Sequence, residues 1–295
     1  MSVSYRFIYA LCVLIVIFNS GCAQNFPRPL SLSTPCCSDG LTGPEIFNNT
    51  FIKHGGNKLK QLNDLNVSID GDWKFLITRI QPLVTDHRYR VSSEERILPN
   101  AGVYSAYYQG PAGTKKVIRS SNQTRVFYNN EENVDDDVLQ STALTADSFF
   151  IFLLGPLSLE SFKDNFVRLE DKQENGKRYH RIYTSMKPGI GNSAGDELVL
   201  WVDSETHLTY RVHITLEGYR TTLGAHVDVS YDAYEQVGDY IFASVFHERV
   251  LGPISIDAHA WRLTGIDINR GLNYQHLNQH PWSSKASAPA KAHIK

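Results

Sequence analysis

The stretch LVLWVDSETHLTYRVHITL, residues 198–216, decides the fold class. Leu198 to Val202 make an apolar strand, and Asp203-Ser204-Glu205-Thr206 reads as a turn. Leu208, Tyr210, Val212, Ile214 and Leu216 then alternate with Thr209, Arg211, His213 and Thr215. That pattern is a β-hairpin with one buried face. Two strands cannot cover five large side chains alone, so the surrounding chain must add strands or a covering helix.

Working outward, the period of two recurs on both sides. Leu65, Val67 and Ile69 alternate with Asn66, Ser68 and Asp70. Further candidate strands are Trp73 to Ile80, Arg88 to Ile97, Val103 to Gln109, Lys115 to Arg119 and Arg125 to Tyr128. Glycine- or asparagine-containing turns join several of them, as at Gly110-Pro111-Ala112-Gly113 and Ser121-Asn122. Beyond the hairpin come Ala225 to Tyr231, Tyr240 to Val250, and Ile254 to Ala260 with Leu263. This is an antiparallel meander and not a βαβ pattern.

Two helical pieces interrupt it. Near the start, Thr42 and Glu45 have capping-box spacing and Pro44 suits a first turn. Ile46, Phe47 and Phe51 share a face until Gly55-Gly56 stops the helix. His54, in the last turn, faces the negative end of the helix dipole and reads as structural. In mid-chain, Asp135-Asp136-Asp137 marks a helix start, and Thr145 caps the run Phe149-Phe150-Ile151-Phe152-Leu153-Leu154, which Gly155-Pro156 ends. That run is apolar on every side and too short to span a bilayer, so it reads as a buried core helix or as a lid over an apolar cavity. The expected fold is mainly β with helical insertions: a strongly curved antiparallel sheet, or unclosed β-barrel, of about 11 strands with a helical lid in its concavity.

The first 21 residues read as a signal peptide. Arg6 is the positive start, residues 7–18 are an apolar run, and small or polar residues precede Cys22. Ser20-Gly21-Cys22 resembles the end of a bacterial lipobox, which makes Cys22 the candidate lipidation site and membrane anchor; plain secretion with cleavage after Ala23 is the alternative. Residues 22–42 then form the lipidated cysteine and a proline-rich linker. The domain covers 43–272, and 273–295 reads as a disordered tail. Of the four cysteines, only Cys36-Cys37 remain beside these, adjacent in sequence and so poorly placed for an unstrained bond to each other. The sequons at Asn48, Asn66 and Asn122 would matter only in a eukaryotic secretory route.

The chain has 295 residues, is 42% hydrophobic, and carries a formal charge of −2. A chain this long can bury a sizeable core, and the absence of a basic excess argues against nucleic acid as a partner.

The lipoprotein-type signal, the linker, the helix ending in His54-Gly55-Gly56 with Leu59 and Leu62 beyond, the meander broken by an apolar helix, and the hairpin carrying Leu200-Trp201-Val202-Asp203 together resemble the LolA/LolB-like group of lipoprotein-sorting proteins. In particular they resemble its anchored, uncharacterised relatives. The resemblance covers residues 43–270. It implies an unclosed β-barrel with a helical lid over an apolar cavity that takes acyl chains. With Ala23 after the lipid cysteine, it also implies attachment to the outer membrane, facing the periplasm.

Expected ligand or lid residues are Phe149, Phe150, Phe152, Leu153, Leu200, Val212 and Ile214, and the expected partner is a lipid or acyl chain. Burying one CH₂ is worth about 0.8 kcal/mol, so a chain of about sixteen carbons offers on the order of 10 kcal/mol gross without any polar chemistry. No cofactor is expected. Two other readings compete. One is an interaction lipoprotein that docks a protein partner and carries no cargo. The other is a hydrolase using Ser193 of Gly191-Asn192-Ser193-Ala194-Gly195, with Asp203 and His207 or His213 following. That motif needs a strand-to-helix turn, whereas Asp196-Glu197 lead straight into a strand. A metal reading of His276 and His280, or of His247-Glu248, lacks the full ligand spacing, since Leu251 stands where HExxH needs its second histidine.

Overall fold

The computed structural model describes residues 23–29, 39–120, 123–279 and 287–288. Cys22, Cys36, Cys37, Asn122 and His280 lie outside these, as do the signal segment and most of the tail.

Among the described residues, one antiparallel sheet holds thirteen strands: β1 (Leu65–Trp73), β2 (Ser92–Leu98), β3 (Val103–Gly110), β4 (Gly113–Ser120), β5 (Gln123–Tyr128), β6 (Glu131–Asn133), β7 (Val167–Glu174), β8 (Lys177–Met186), β9 (Asp196–Asp203), β10 (Thr209–Thr215), β11 (His226–Val237), β12 (Tyr240–Gly252) and β13 (Ile256–Ile268). Their order is β6-β5-β4-β3-β2-β1-β13-β12-β11-β10-β9-β8-β7. Two meanders therefore meet where β1 (Leu65–Trp73) pairs β13 (Ile256–Ile268). The outer strands β6 (Glu131–Asn133) and β7 (Val167–Glu174) do not pair with each other, so the barrel is unclosed. Between those two edges the chain runs through helix α4 (Asp136–Leu154) and a 3-10 segment, Gly155–Asn165, so that the helix fills the hollow the sheet leaves open.

The opening hairpin is β9 (Asp196–Asp203) and β10 (Thr209–Thr215), with Leu200 opposite Val212 and Leu198 opposite Ile214. Asp203 Oδ1 accepts from the Glu205 and Thr206 amides at 3.0 and 2.9 Å and sets the turn. Leu198, Leu200, Val202, Val212 and Ile214 are fully buried in the main core. The hairpin's other face is covered too. Phe26 packs with Val199 and Leu169 there, held by Gln24 N–H to Leu251 O at 2.8 Å and by the Arg28–Glu197 ion pair. Residues 23–29, expected within a free linker, are thus fixed to the convex face.

Helix α1 (Gly43–Lys53) starts at the capping box Thr42/Glu45. His54 caps its end from full burial. Its Nδ1–H donates to Ile241 O at 2.7 Å, while Nε2 accepts the Thr209 amide at 3.1 Å. Burial holds this ring's pKa down to about 4, so it stays neutral and acts as a strand-to-helix tie.

Three further expectations need correction. Trp73 to Ile80 is not one strand: β1 stops at Trp73, and Phe75–Ile80 (α2) and Pro82–Thr85 (α3) are short helices. In α2 only Ile77 and Thr78 are buried, a one-sided demand that a helical turn meets better than an alternating strand. Helix α4 begins earlier than Thr145: Asp135 is its N-cap, accepting from Val138 N at 3.1 Å, and nothing in Gln140 to Ala146 breaks a helix. The tail reading also fails for Tyr274–Asn278 (α5), whose Leu277 is buried against Leu98 and Val103. The segment 136–165 is long and apolar enough to cross a membrane, yet 78% of its apolar window is buried inside the protein.

Candidate hydrophobic-ligand site

Helix α4 splits the hollow into two cavities. Leu144, Thr145, Ser148, Phe149 and Phe152, spaced three and four apart and so on one helix face, line the first. Asp147, Phe150 and Ile151 line the second. Tyr231 fixes the helix by donating from its hydroxyl to Phe152 O at 2.9 Å.

The first cavity has a volume of about 220 Å³. Its walls are Ile77, Ile80 and Val84 of α2 and α3, the α4 face, and Val227, Val250, Ile256 and Ala258 of the sheet. Its inner end is built of stacked rings. Phe149, which lines it, stacks on Trp261 at 4.9 Å, and behind it Trp261 stacks on Phe246 at 3.6 Å. Its mouth is apolar and exposed: Leu223, Ile254 and Ile80 line the opening, and Phe75, Leu76 and Leu83 are carried on the same two short helices. Leu223 is 61% and Phe75 73% exposed. Three of the ten exposed large apolar side chains among the described residues thus line this one cavity, and three more stand on the two short helices that wall it. Such a concentration marks a surface that meets something apolar.

Beside the rings sits Arg90, buried, with its guanidinium carbon 5.0 Å from the ring centres of Trp73, Tyr108 and Phe149. Nη1 donates to Val84 O at 3.0 Å, tying α3 to the sheet. Next to it, buried Glu95 accepts from Tyr104 Oη at 2.7 Å and Ser93 Oγ at 2.8 Å. Burial pushes its carboxyl up to about 7. Because this value lies above the usual 4.5, folding favours the protonated acid. The contribution of Glu95 to stability is therefore greatest at low pH, falls as pH rises from about 4.5 to about 7, and carries its full cost above that. A Glu95→Gln variant is expected to lose this slope, so that the unfolding free-energy difference between variant and parent changes by about 3 kcal/mol between pH 4.5 and pH 8. Denaturant titrations across that range measure it; parallel profiles would refute it.

The second cavity is larger, about 650 Å³, and more polar. Arg119 lies in it but is already spent, with Asp147 at 2.8 Å and Asn192 at 2.9 Å on Nη2.

Of the residues expected from sequence, Phe149 and Phe152 line the first cavity and Phe150 the second. Leu153, Leu200, Val212 and Ile214 are buried core residues that line neither. The hydrolase set does not assemble. Ser193 Oγ donates to Asp196, which also accepts from Ile190 N, Thr215 Oγ1 and Glu217 N. Asp203 is occupied by its turn, and His213 pairs with His226 at 2.8 Å. Asp39, Asp171 and His180 bring ligand atoms within 4.8 Å of one another, but the Arg168 guanidinium already binds all three. His247 pairs with Asp232, and His276 Nδ1 accepts the Asn273 amide as a helix cap.

Sequence reading missed Arg90 and Glu248. Glu248 lines the first cavity from a strand position between Phe246 and Val250, and the one signal for it in the sequence is a charge at an inward place in an apolar alternation.

Fold and cavity together define a class: an unclosed antiparallel β-barrel with a helix in its hollow and an apolar cavity beside that helix. No family model matches the chain, and no curated protein matches it. Solved structures do. The chain is similar to a LolA superfamily protein from Nitrosomonas europaea, with 9% identity and a TM-score of 0.49 over 81% of this chain and 99% of that one. It is also similar to an outer membrane lipoprotein-sorting protein domain from Vibrio parahaemolyticus, with 12% identity and a TM-score of 0.47 over 80% and 96%. A DUF1329 family protein from Desulfovibrio piger gives 9% identity and a TM-score of 0.45 over 82% and 99%. The likeness is in the course of the backbone, and it transfers none of those proteins' activities to this chain.

Proposed function

We propose that this protein holds the apolar chain of a lipid or other hydrophobic ligand in the cavity between α4 and the sheet, and that it does so in the cell envelope, anchored through a lipid on Cys22. The observation that carries the reading is the apolar cavity of about 220 Å³ with an exposed apolar mouth. Its size is below the roughly 300–1,000 Å³ that drug-sized ligands occupy, so a longer chain needs α2 and α3 to move outward. A lipoprotein that only docked a partner would be served equally well by a filled interior. The N-terminal signal and the lipobox-like Ser20-Gly21-Cys22 support the envelope location. With residues 23–29 fixed to the convex face, an anchor at Cys22 would hold the barrel by that side.

The test is mass spectrometry of the native protein extracted from membranes. The expected result is an acylated N-terminal Cys22 and a co-purifying lipid. A protein that starts at another residue overturns the anchor. A ligand-free protein whose tryptophan emission ignores added amphiphiles overturns the cargo reading, because Trp73 lines the cavity.

A further inference from the structure

Among the polar side chains lining the apolar cavity, nearly all are satisfied within the protein. Gln81 Nε2 donates to Thr221 O at 2.7 Å, and its Oε1 accepts from Thr221 Oγ1 at 2.7 Å. The Thr85, Thr145, Ser148 and Thr222 hydroxyls donate to the carbonyls of Gln81, Ser141, Leu144 and Leu216, and Trp73 Nε1 donates to Arg90 O. Glu248 is the exception. Its carboxyl has neither a hydrogen bond nor an ion pair with any described residue, although it lies in the wall of the same cavity.

Its position follows from β12 (Tyr240–Gly252). The strand gives Val250 and Glu248 to the cavity, while the next inward residue, Phe246, is closed off against Trp261. Leu223 and Ile254 are at the other end, at the mouth. Glu248 therefore stands at the inner end, roughly 7 Å beyond Val250 at the strand rise. Glu248 is half-buried and its carboxyl faces a mostly apolar cavity, and no hydrogen bond joins it to His259, its neighbour on the adjacent strand. Removal from water pushes the carboxyl up to about 7 despite the Arg90 charge nearby. A site that keeps such a group is completed by a ligand that brings the missing donor.

Resting on the cargo reading above, we propose that Glu248 is a head-group anchor, and that the ligand is an amphiphile entering head first, with a hydrogen-bond-donating amine or hydroxyl against this carboxyl and its chain running out to the mouth. An anionic head is disfavoured there, because it would place two acids together in a mostly apolar pocket.

The experiment titrates the mature protein with dodecylamine, dodecanol and dodecanoate at pH 7.5 and reads tryptophan emission. The amine and the alcohol are expected to bind at least about tenfold tighter than the carboxylate. In Glu248→Leu, the three should converge to within about threefold while binding of the chain persists. Dodecanoate binding as tightly as the amine in the parent protein overturns the assignment, and that ranking needs no variant. An unchanged ranking in Glu248→Leu overturns it as well. Equal binding of all three leaves the cavity reading standing and removes only the anchor, whereas no binding of any removes both.

Discussion

Val250→Trp is expected to lower affinity for a twelve-carbon amphiphile by at least tenfold, with the fold retained. Val250 faces the cavity of about 220 Å³ and is only half-buried, so an indole at this position projects into open volume and not into packed side chains. Filling that volume removes the surface on which a chain would lie, and each CH₂ left in water forfeits about 0.8 kcal/mol. Losing contact with even two or three of these groups gives the stated effect. The cost to stability should stay within about 1–3 kcal/mol, the usual range for overpacking. Ser158→Trp is the matched control, because Ser158 lines the second cavity on the other side of α4. If Ser158→Trp abolishes binding and Val250→Trp does not, the ligand belongs in the larger cavity.

Arg90→Met should be the most destabilising single change near the site, at about 3–5 kcal/mol. The guanidinium sits over three aromatic rings at 5.0 Å each, and a desolvated cation–π contact is worth about 1–2 kcal/mol. It also satisfies Val84 O at the end of α3, and methionine of similar length restores neither interaction. Arg90's charge lowers the carboxyls of Glu95 and Glu248 against the larger effect of burial, so without it both acids shift further up and the loss grows with rising pH. Urea unfolding at pH 6 and pH 8 checks both statements. A loss below about 1 kcal/mol would mean that the rings hold themselves together without the cation. Because α2 and α3 form the outer wall of the cavity, the same variant should release a bound amphiphile faster than the parent.

Much of the architecture could be read without coordinates. The alternation in residues 198–216 places Leu200, Val212 and Ile214 on one buried face, and they lie there with no exposure. The Thr42/Glu45 box and the Asp135 start are local hydrogen-bond arrangements, and both form as their spacing requires. The division of labour along α4 was less legible. Phe149, Phe150 and Phe152 look equivalent in a run that is apolar all round, yet the turn of the helix sends the first and last to one cavity and Phe150 to the other.

By itself the sequence determined a long antiparallel meander with an apolar helix set into it, because period and capping are properties of neighbouring residues. The tertiary structure alone decided that β1 pairs β13, that residues 23–29 cover the convex face, that Glu248 lines the cavity, and that Arg90 lies behind its Phe149 wall with Glu95 nearby. These arrangements join segments far apart in the chain. What selects them is the burial of a few side chains whose partners no local pattern names.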